Sequence, residues 1–265
     1  MLKNVKELEN FIKKEYDIDI QNIEKSKEST DGNVYIINAN EYVIKIYNDM
    51  GHTKSMINLH EYLVDNNFYV PKIIKDKNGF SYIKHEDKFI VIYSFLEGIQ
   101  IKKLENFSGE VIVNMANELR RFHDMTNENK FFIKENPIAN KIVTDRYSIL
   151  HFDLTKDNIF YNEKTDKIGF IDFDDSRYGA SIFDVSILIA LLFISKKYGI
   201  NNESIKLFID SYYKDDTELK QKEIPLIKEC AINWIDYILD NNQFDTSTNE
   251  SFEIKKKLIG LLELW

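Results

Sequence analysis

The stretch from His151 to Asp175 leaves this chain little freedom in how it folds. Ile159 to Asn162 and Lys167 to Ile171 are two strand-like runs, and the polar segment Glu163–Asp166 between them has turn chemistry. The pattern predicts a hairpin, and a hairpin returns its end to its beginning. Asp172 is therefore expected next to Asn158, in spite of the intervening chain. Just ahead of the hairpin stands HFDLTKDN, so His151, Asp153 and Asn158 meet a second acidic cluster, IDFDD, at residues 171–175.

The spacing His151-x-Asp153-Leu154-x-x-x-Asn158 is that of a phosphoryl-transfer catalytic loop. Such chemistry needs cations to neutralise developing charge and a carboxylate to take the proton of an acceptor hydroxyl. Asp153 is the candidate base, or orienting acceptor. The plainer alternative is a turn cap, the commonest use of a loop aspartate. Asn158 offers an amide oxygen that completes a Mg²⁺ shell beside a carboxylate, and Asp172 supplies that carboxylate. The three groups arrive in the right order, which favours the functional reading.

The rest of the chain sets the frame. At 265 residues it is long enough for one large or two modest domains. The apolar content of 43% with 30% charged residues describes an ordinary soluble globular protein. Cys230 is the sole cysteine, which excludes an intrachain disulfide framework. The N-terminal residues are charged and carry no leader pattern, so the expected location is the cytoplasm. The most apolar run, Val185 to Ile194, is far shorter than the roughly 20 residues of a membrane span. It reads as a core helix. Net charge of −9 argues against a nucleic-acid partner. Most of that charge lies beyond residue 96, where it suits a cationic small molecule or, equally, serves solubility.

The organisation changes part-way along. Residues 1–96 read as a sheet-rich unit. It has a helix at Val5 to Tyr16 and strands at Gln21 to Lys25, Val34 to Asn38 and Tyr42 to Tyr47. A helix at Thr53 to Asp65 and strands at Phe80 to Lys84 and Phe89 to Phe95 complete it. Residues 97–265 read as helix-rich. Helices are expected at Gly109 to Thr126, Ile182 to Tyr198, Ser204 to Tyr213, Lys222 to Leu239 and Phe252 to Leu264. A short connector near residues 95–98 joins the two.

Lys45 lies within YVIKIY, apolar on both sides. A lysine in such a strand reaches for an anion, here a nucleotide phosphate, or snorkels from a sheet edge. Its place one hairpin after the polar, glycine-containing loop Ser29–Asn33 favours the first reading. Backbone N–H groups of that loop could cover phosphates.

Taken together, STDGNVY, YVIKIY, YSFLEG, LRRFH, HFDLTKDN and IDFDDSRYGASIFD resemble the aminoglycoside phosphotransferase and choline kinase family, over nearly the whole chain. The resemblance implies an α+β, bilobal protein-kinase-like fold, with a small antiparallel-sheet N-lobe (1–96) and a larger helical C-lobe (97–265). It implies a small-molecule kinase that uses ATP or GTP with Mg²⁺. Lys45 would contact the α- and β-phosphates, and Ser29 and Thr30 would lie in the phosphate-covering loop. Backbone groups of Ser94 and Leu96 would pair with the nucleotide base. Asp153 would face the acceptor hydroxyl, and Asn158 and Asp172 would hold Mg²⁺. Asp184, His123 and His151 would be structural. The partners implied are a nucleotide and a small hydroxyl-bearing substrate, with no nucleic acid and no membrane.

Three features depart from the family pattern. Phe152 stands where the family usually has glycine. Met56 stands where the first helix usually carries a glutamate paired with the strand lysine, and Glu61 lies about 140° round that helix. Asp174 and Asp175 extend the acidic cluster. The chain passes from Asp175 to the helix near Ile182 without an APE segment, which disfavours a protein substrate. Choline, homoserine or a sugar fit the motifs as well as an aminoglycoside does. A non-catalytic nucleotide-binding module on the same fold is the remaining alternative.

Overall fold

The computed structural model describes residues 5–26, 33–102, 104, 107–138, 142, 144–195, 199–214 and 216–240. The Ser29–Asn33 loop, apart from Asn33, and the expected helix at Phe252 to Leu264 lie outside these residues. The chain forms two compact units, Met1–Glu97 and Gly98–Trp265.

The first unit begins with helix α1 (Val5–Glu15), whose Leu8 and Ile12 are buried. Strands β1 (Ile23–Lys25), β2 (Val34–Ile37) and β3 (Tyr42–Tyr47) follow, then helix α2 (Met50–Asp65). Strands β4 (Ile73–Ile74), β5 (Ile83–His85) and β6 (Lys88–Ser94) complete an antiparallel sheet in the order β1-β2-β3-β6-β4, with β5 also paired to β6. The turn between β2 and β3 holds Asn38, Ala39 and Asn40 at positive φ. Asn38 sustains it, because its amide oxygen accepts from the Gln21 N–H at 2.8 Å. Asparagine tolerates this backbone better than most residues.

Alternation along β3 divides its side chains between two clusters. Ile44 faces Leu8 and Ile12 of α1. Val43 and Tyr47 pack with Ile57 of α2 and with Val91 and Tyr93 of β6. Lys45 shares the face of Val43 and Tyr47, in register with Val91. Helix α2 starts three residues before the apolar pattern suggests, because the Asp49 side chain caps it by accepting from the Gly51 and His52 N–H groups.

The second unit opens at Gly98, where φ is +132°. A Cβ here would sit 2.7 Å from the Tyr161 carbonyl oxygen. Only glycine suits that backbone and that approach. Gly98→Ala should lower unfolding free energy by about 1–3 kcal/mol, read from urea midpoints at unchanged slope.

Strand β7 (Ile99–Gln100) and helix α3 (Gly109–Met125) come next. The apolar stripe of α3 (Val111, Met115, Leu119 and Phe122) is buried. Strands β8 (Tyr147–Leu150), β9 (Ile159–Asn162), β10 (Lys167–Phe170) and β11 (Arg177–Ala180) form two small antiparallel sheets, β10-β9-β7 and β11-β8. The hairpin expected after Asn158 is β9–β10, with Phe170 opposite Ile159.

Helix α4 (Ile182–Leu188) is shorter than the sequence pattern suggests. It widens into a π-helical turn at Ile189–Phe193 and then enters an extended pair, β12 (Ile194–Ser195) with β13 (Gly199–Ile200). Residues 182–190 are all buried, so apolar periodicity carries no mark of where the helix stops. Helix α5 (Asn202–Tyr213) is capped by the Asn201 side chain. Helix α6 (Thr217–Asp240) starts five residues before the expected Lys222, and Asp216 accepts the Leu219 N–H at its start. Pro225 is thus inside the helix rather than in its first turn. Cys230 is buried on α6, and loss of water pushes its thiol up to about 12. No described helix is long and apolar enough to cross a membrane.

Candidate active site

The loop between β8 and β9 carries the acidic and amide groups singled out above. Asn158 donates both to the Asp153 carbonyl, at 2.9 Å, and to the Asp153 carboxylate, at 2.8 Å. The Ile171 N–H bonds to the Asn158 carbonyl at 3.0 Å. The hairpin therefore brings Asp172 alongside Asn158. Asp172 is exposed and has a left-handed backbone (φ 64°), at the turn into a short 3₁₀ segment, Phe173–Asp175. The Asp153 carboxyl is pushed up to about 7, first by loss of water and then by the charges of Asp172 and Asp175. The Asn158 amide acts in the opposite direction.

Asp184, fully buried on α4, anchors the start of the loop. One carboxylate oxygen accepts the His151 N–H at 2.7 Å and the other accepts the Phe152 N–H at 2.8 Å. The first also bonds His123 Nε2 at 3.1 Å, and His123 Nδ1 meets the Tyr212 hydroxyl at 2.7 Å. Burial pushes the His123 pKa down, so the ring is neutral. Nε2–H then donates to Asp184, and Nδ1 accepts from Tyr212. Burial likewise lowers the His151 pKa. Its Nε2–H donates to the Ile171 carbonyl at 2.8 Å, while Nδ1 accepts the Asp153 N–H at 3.4 Å. One imidazole therefore ties the loop to the returning end of the hairpin.

These histidines link stability to pH. A histidine with a depressed native pKa binds its proton more readily in the unfolded chain, where the value is about 6.5. Its contribution is intact above that value and is lost as pH falls through it. Asp153, whose carboxyl is raised to about 7, gives the opposite slope, so the histidine effect is a difference between variants: between pH 7 and pH 5 the parent should lose up to about 1.4 kcal/mol per pH unit more than His123→Gln. Urea titrations at the two pH values read both.

Phe152 is buried and has φ of 67°. This left-handed backbone explains why glycine suits the position. A side chain there costs about 1–2 kcal/mol. The cost is offset by contacts that sequence spacing does not reveal. The Phe152 carbonyl accepts the Trp234 indole N–H at 3.0 Å, and its ring meets Tyr237 edge-on. The Arg177 guanidinium lies 5.7 Å from the ring centroid. Trp234 is buried and bonded to the loop backbone. Tyr212 carries no spacing signal at all and emerges only from the tertiary fold.

The remaining candidates belong to the first unit. Lys45 sits in β3, on the face packed by α2. Met56 is buried, as its place on the helix requires. Glu61 accepts from the Ser81 hydroxyl at 2.6 Å and pairs with Lys75 at 3.6 Å. Ser94 ends β6; its N–H bonds to the Lys72 carbonyl at 2.8 Å and its hydroxyl accepts the Lys72 N–H at 2.9 Å. Leu96 is buried. Ser29 and Thr30 lie outside the described residues.

Known proteins resemble the chain at two levels, a family model and solved structures. Residues 132–199, which include the β8–β9 loop, the hairpin and Asp184, match the family model described as the phosphotransferase enzyme family. No curated protein sequence matches the chain.

Solved structures match over almost its whole length. One is the spectinomycin phosphotransferase APH(9)-Ia with ADP and spectinomycin, at 16% identity and TM-score 0.67, covering 97% of this chain and 95% of that one. The amicoumacin kinase hAmiN in complex with AMP-PNP, Ca²⁺ and Ami matches at 16% identity and TM-score 0.69, with coverage of 96% and 92%. The GDP and kanamycin complex of APH(2″)-IIIa matches at 14% identity and TM-score 0.63, covering 97% of each chain. At these identities the likeness concerns the fold. The chain has the α+β, protein-kinase-like fold of the aminoglycoside phosphotransferases.

Proposed function

We propose that this protein is a small-molecule kinase that transfers the γ-phosphate of ATP or GTP to a substrate hydroxyl with Mg²⁺. The observation that carries the reading is the joint placement of Asp153, Asn158 and Asp172. One amide bonds the first carboxylate, and one backbone bond brings the second alongside. In this reading Asp153 takes the proton of the acceptor hydroxyl as the oxygen attacks the γ-phosphorus. The bond from that phosphorus to the bridging β-γ oxygen breaks, and the nucleoside diphosphate leaves.

The donor set fits a hard divalent cation. Both Asn158 amide contacts on Asp153 are made through nitrogen, so its amide oxygen is the atom it would offer. Asp172 would add a carboxylate. Among the described residues no group of three or more His, Cys, Asp and Glu forms a ready-made cage. Mg²⁺ needs none, since it is usually held by one or two protein oxygens together with substrate phosphates. Such a cation would neutralise charge on the transferring group.

On the donor side, Lys45 would reach the α- and β-phosphates, with Ser29 and Thr30 in the covering loop. Ser94 and Leu96 would hold the base through backbone groups. The Ser94 N–H is committed to Lys72, so its carbonyl is the group in question. The three compared structures were solved with ADP, AMP-PNP and GDP, which supports a purine nucleotide as donor.

The acceptor is read as a small, hydroxyl-bearing molecule of the aminoglycoside-like class. The acidic charge beyond residue 96 supports a cationic one. The test is a coupled assay of ADP and GDP release over aminoglycosides, spectinomycin, choline, homoserine and sugars. We expect release that depends on one acceptor class and stops with EDTA. Nucleotide binding with no acceptor-dependent release across the panel would instead support a non-catalytic module.

A further inference from the structure

Phe152 combines a left-handed backbone with burial of its ring. A conformation that L side chains avoid persists only where the surroundings determine it. Here both ends of the residue are bonded. Its N–H goes to Asp184 Oδ1 at 2.8 Å and its carbonyl accepts the Trp234 indole N–H at 3.0 Å. Trp234 and Tyr237, three residues apart on α6, share one helix face and both meet Phe152. The next residue is Asp153, whose carboxylate direction follows from the orientation of the Phe152–Asp153 peptide.

We propose that Trp234 is a positioning residue for the transfer. Its indole N–H holds the Phe152 carbonyl, and so keeps the Asp153 carboxylate aimed at the acceptor hydroxyl. The inference rests on the phosphotransfer reading of Asp153. It assigns to α6 the work that the freedom of a glycine would do at position 152.

Trp234→Phe removes the N–H and keeps most of the apolar bulk. With Mg·ATP or Mg·GTP and the acceptor found by the screen, or water as the acceptor otherwise, kcat should fall between about tenfold and a hundredfold. The nucleotide KM should stay within about twofold, as a misplaced base acts on the transition state alone. In the Phe152→Gly background the same substitution should have a much smaller effect, because glycine adopts this backbone unaided. An equal loss in both backgrounds, or a change confined to KM, overturns the inference.

A measurement independent of activity separates this from failure of the phosphotransfer reading. The Cα and Cβ chemical shifts of Phe152 report its left-handed backbone. They should move toward an ordinary conformation in Trp234→Phe, and the Trp234 indole N–H of the parent should exchange slowly in D₂O. Unmoved shifts, or rapid indole exchange, overturn the inference even if neither Phe152→Gly nor any activity can be obtained.

Discussion

Asp153→Ala should bind nucleotide as the parent does and turn over about 10²–10⁴-fold more slowly, the usual worth of a positioned general base. The carboxylate is held by the Asn158 amide at 2.8 Å, and its ionisation is opposed by lost hydration and by Asp172 and Asp175. A group so placed has a proton affinity near neutrality, where general bases work best. Alanine at this position leaves the Asp184 anchor on His151 and Phe152 untouched, so the loop should remain folded. Calorimetric titration with Mg·ATP and Mg·GTP gives the binding arm, and coupled diphosphate release gives the rate. Turnover equal to that of the parent would remove Asp153 from the base role. Lost nucleotide binding would mean that it acts on the donor instead.

Asp184→Ala should be the most destabilising of the substitutions considered, by about 3–5 kcal/mol, as when one partner of a buried charged network is removed. The His151 N–H, the Phe152 N–H and His123 Nε2 all converge on this carboxylate, and His123 and Asp184 are fully buried. Without it three donors lose their acceptor out of reach of water, where each unsatisfied group costs about 1–3 kcal/mol. Asp184→Asn keeps one acceptor oxygen and the volume, so it should lose less. Urea denaturation of both variants orders them, and equal stability of parent and alanine variant would exclude the anchoring role.

The sequence made the local part of this site legible and hid the distant part. Asp153, Asn158 and Asp172 lie along one loop and hairpin, where spacing and turn chemistry determine who meets whom. The stripe of α3 was readable for the same reason, since period and burial coincide; on α1 only Leu8 and Ile12 are buried and Val5 is exposed. Strands β4 and β7, two residues each, offer too little alternation to register. The end of α4 is hidden because residues 182–190 are buried throughout. The contacts from Trp234 to Phe152 and from Tyr212 to His123 cross more than eighty residues. Nothing in the local pattern around either aromatic residue specifies such a partner.

Cys230 gives this architecture a clock. The chain's single thiol is buried on α6, four residues before the indole that bonds the Phe152 carbonyl. A thiol reagent cannot reach it while the helix is seated, and the raised proton affinity suppresses the reactive thiolate. Labelling must therefore wait for α6 to open, and its rate counts those openings without any engineered probe. Followed with and without nucleotide, it would measure how firmly a ligand seats the helix behind the β8–β9 loop.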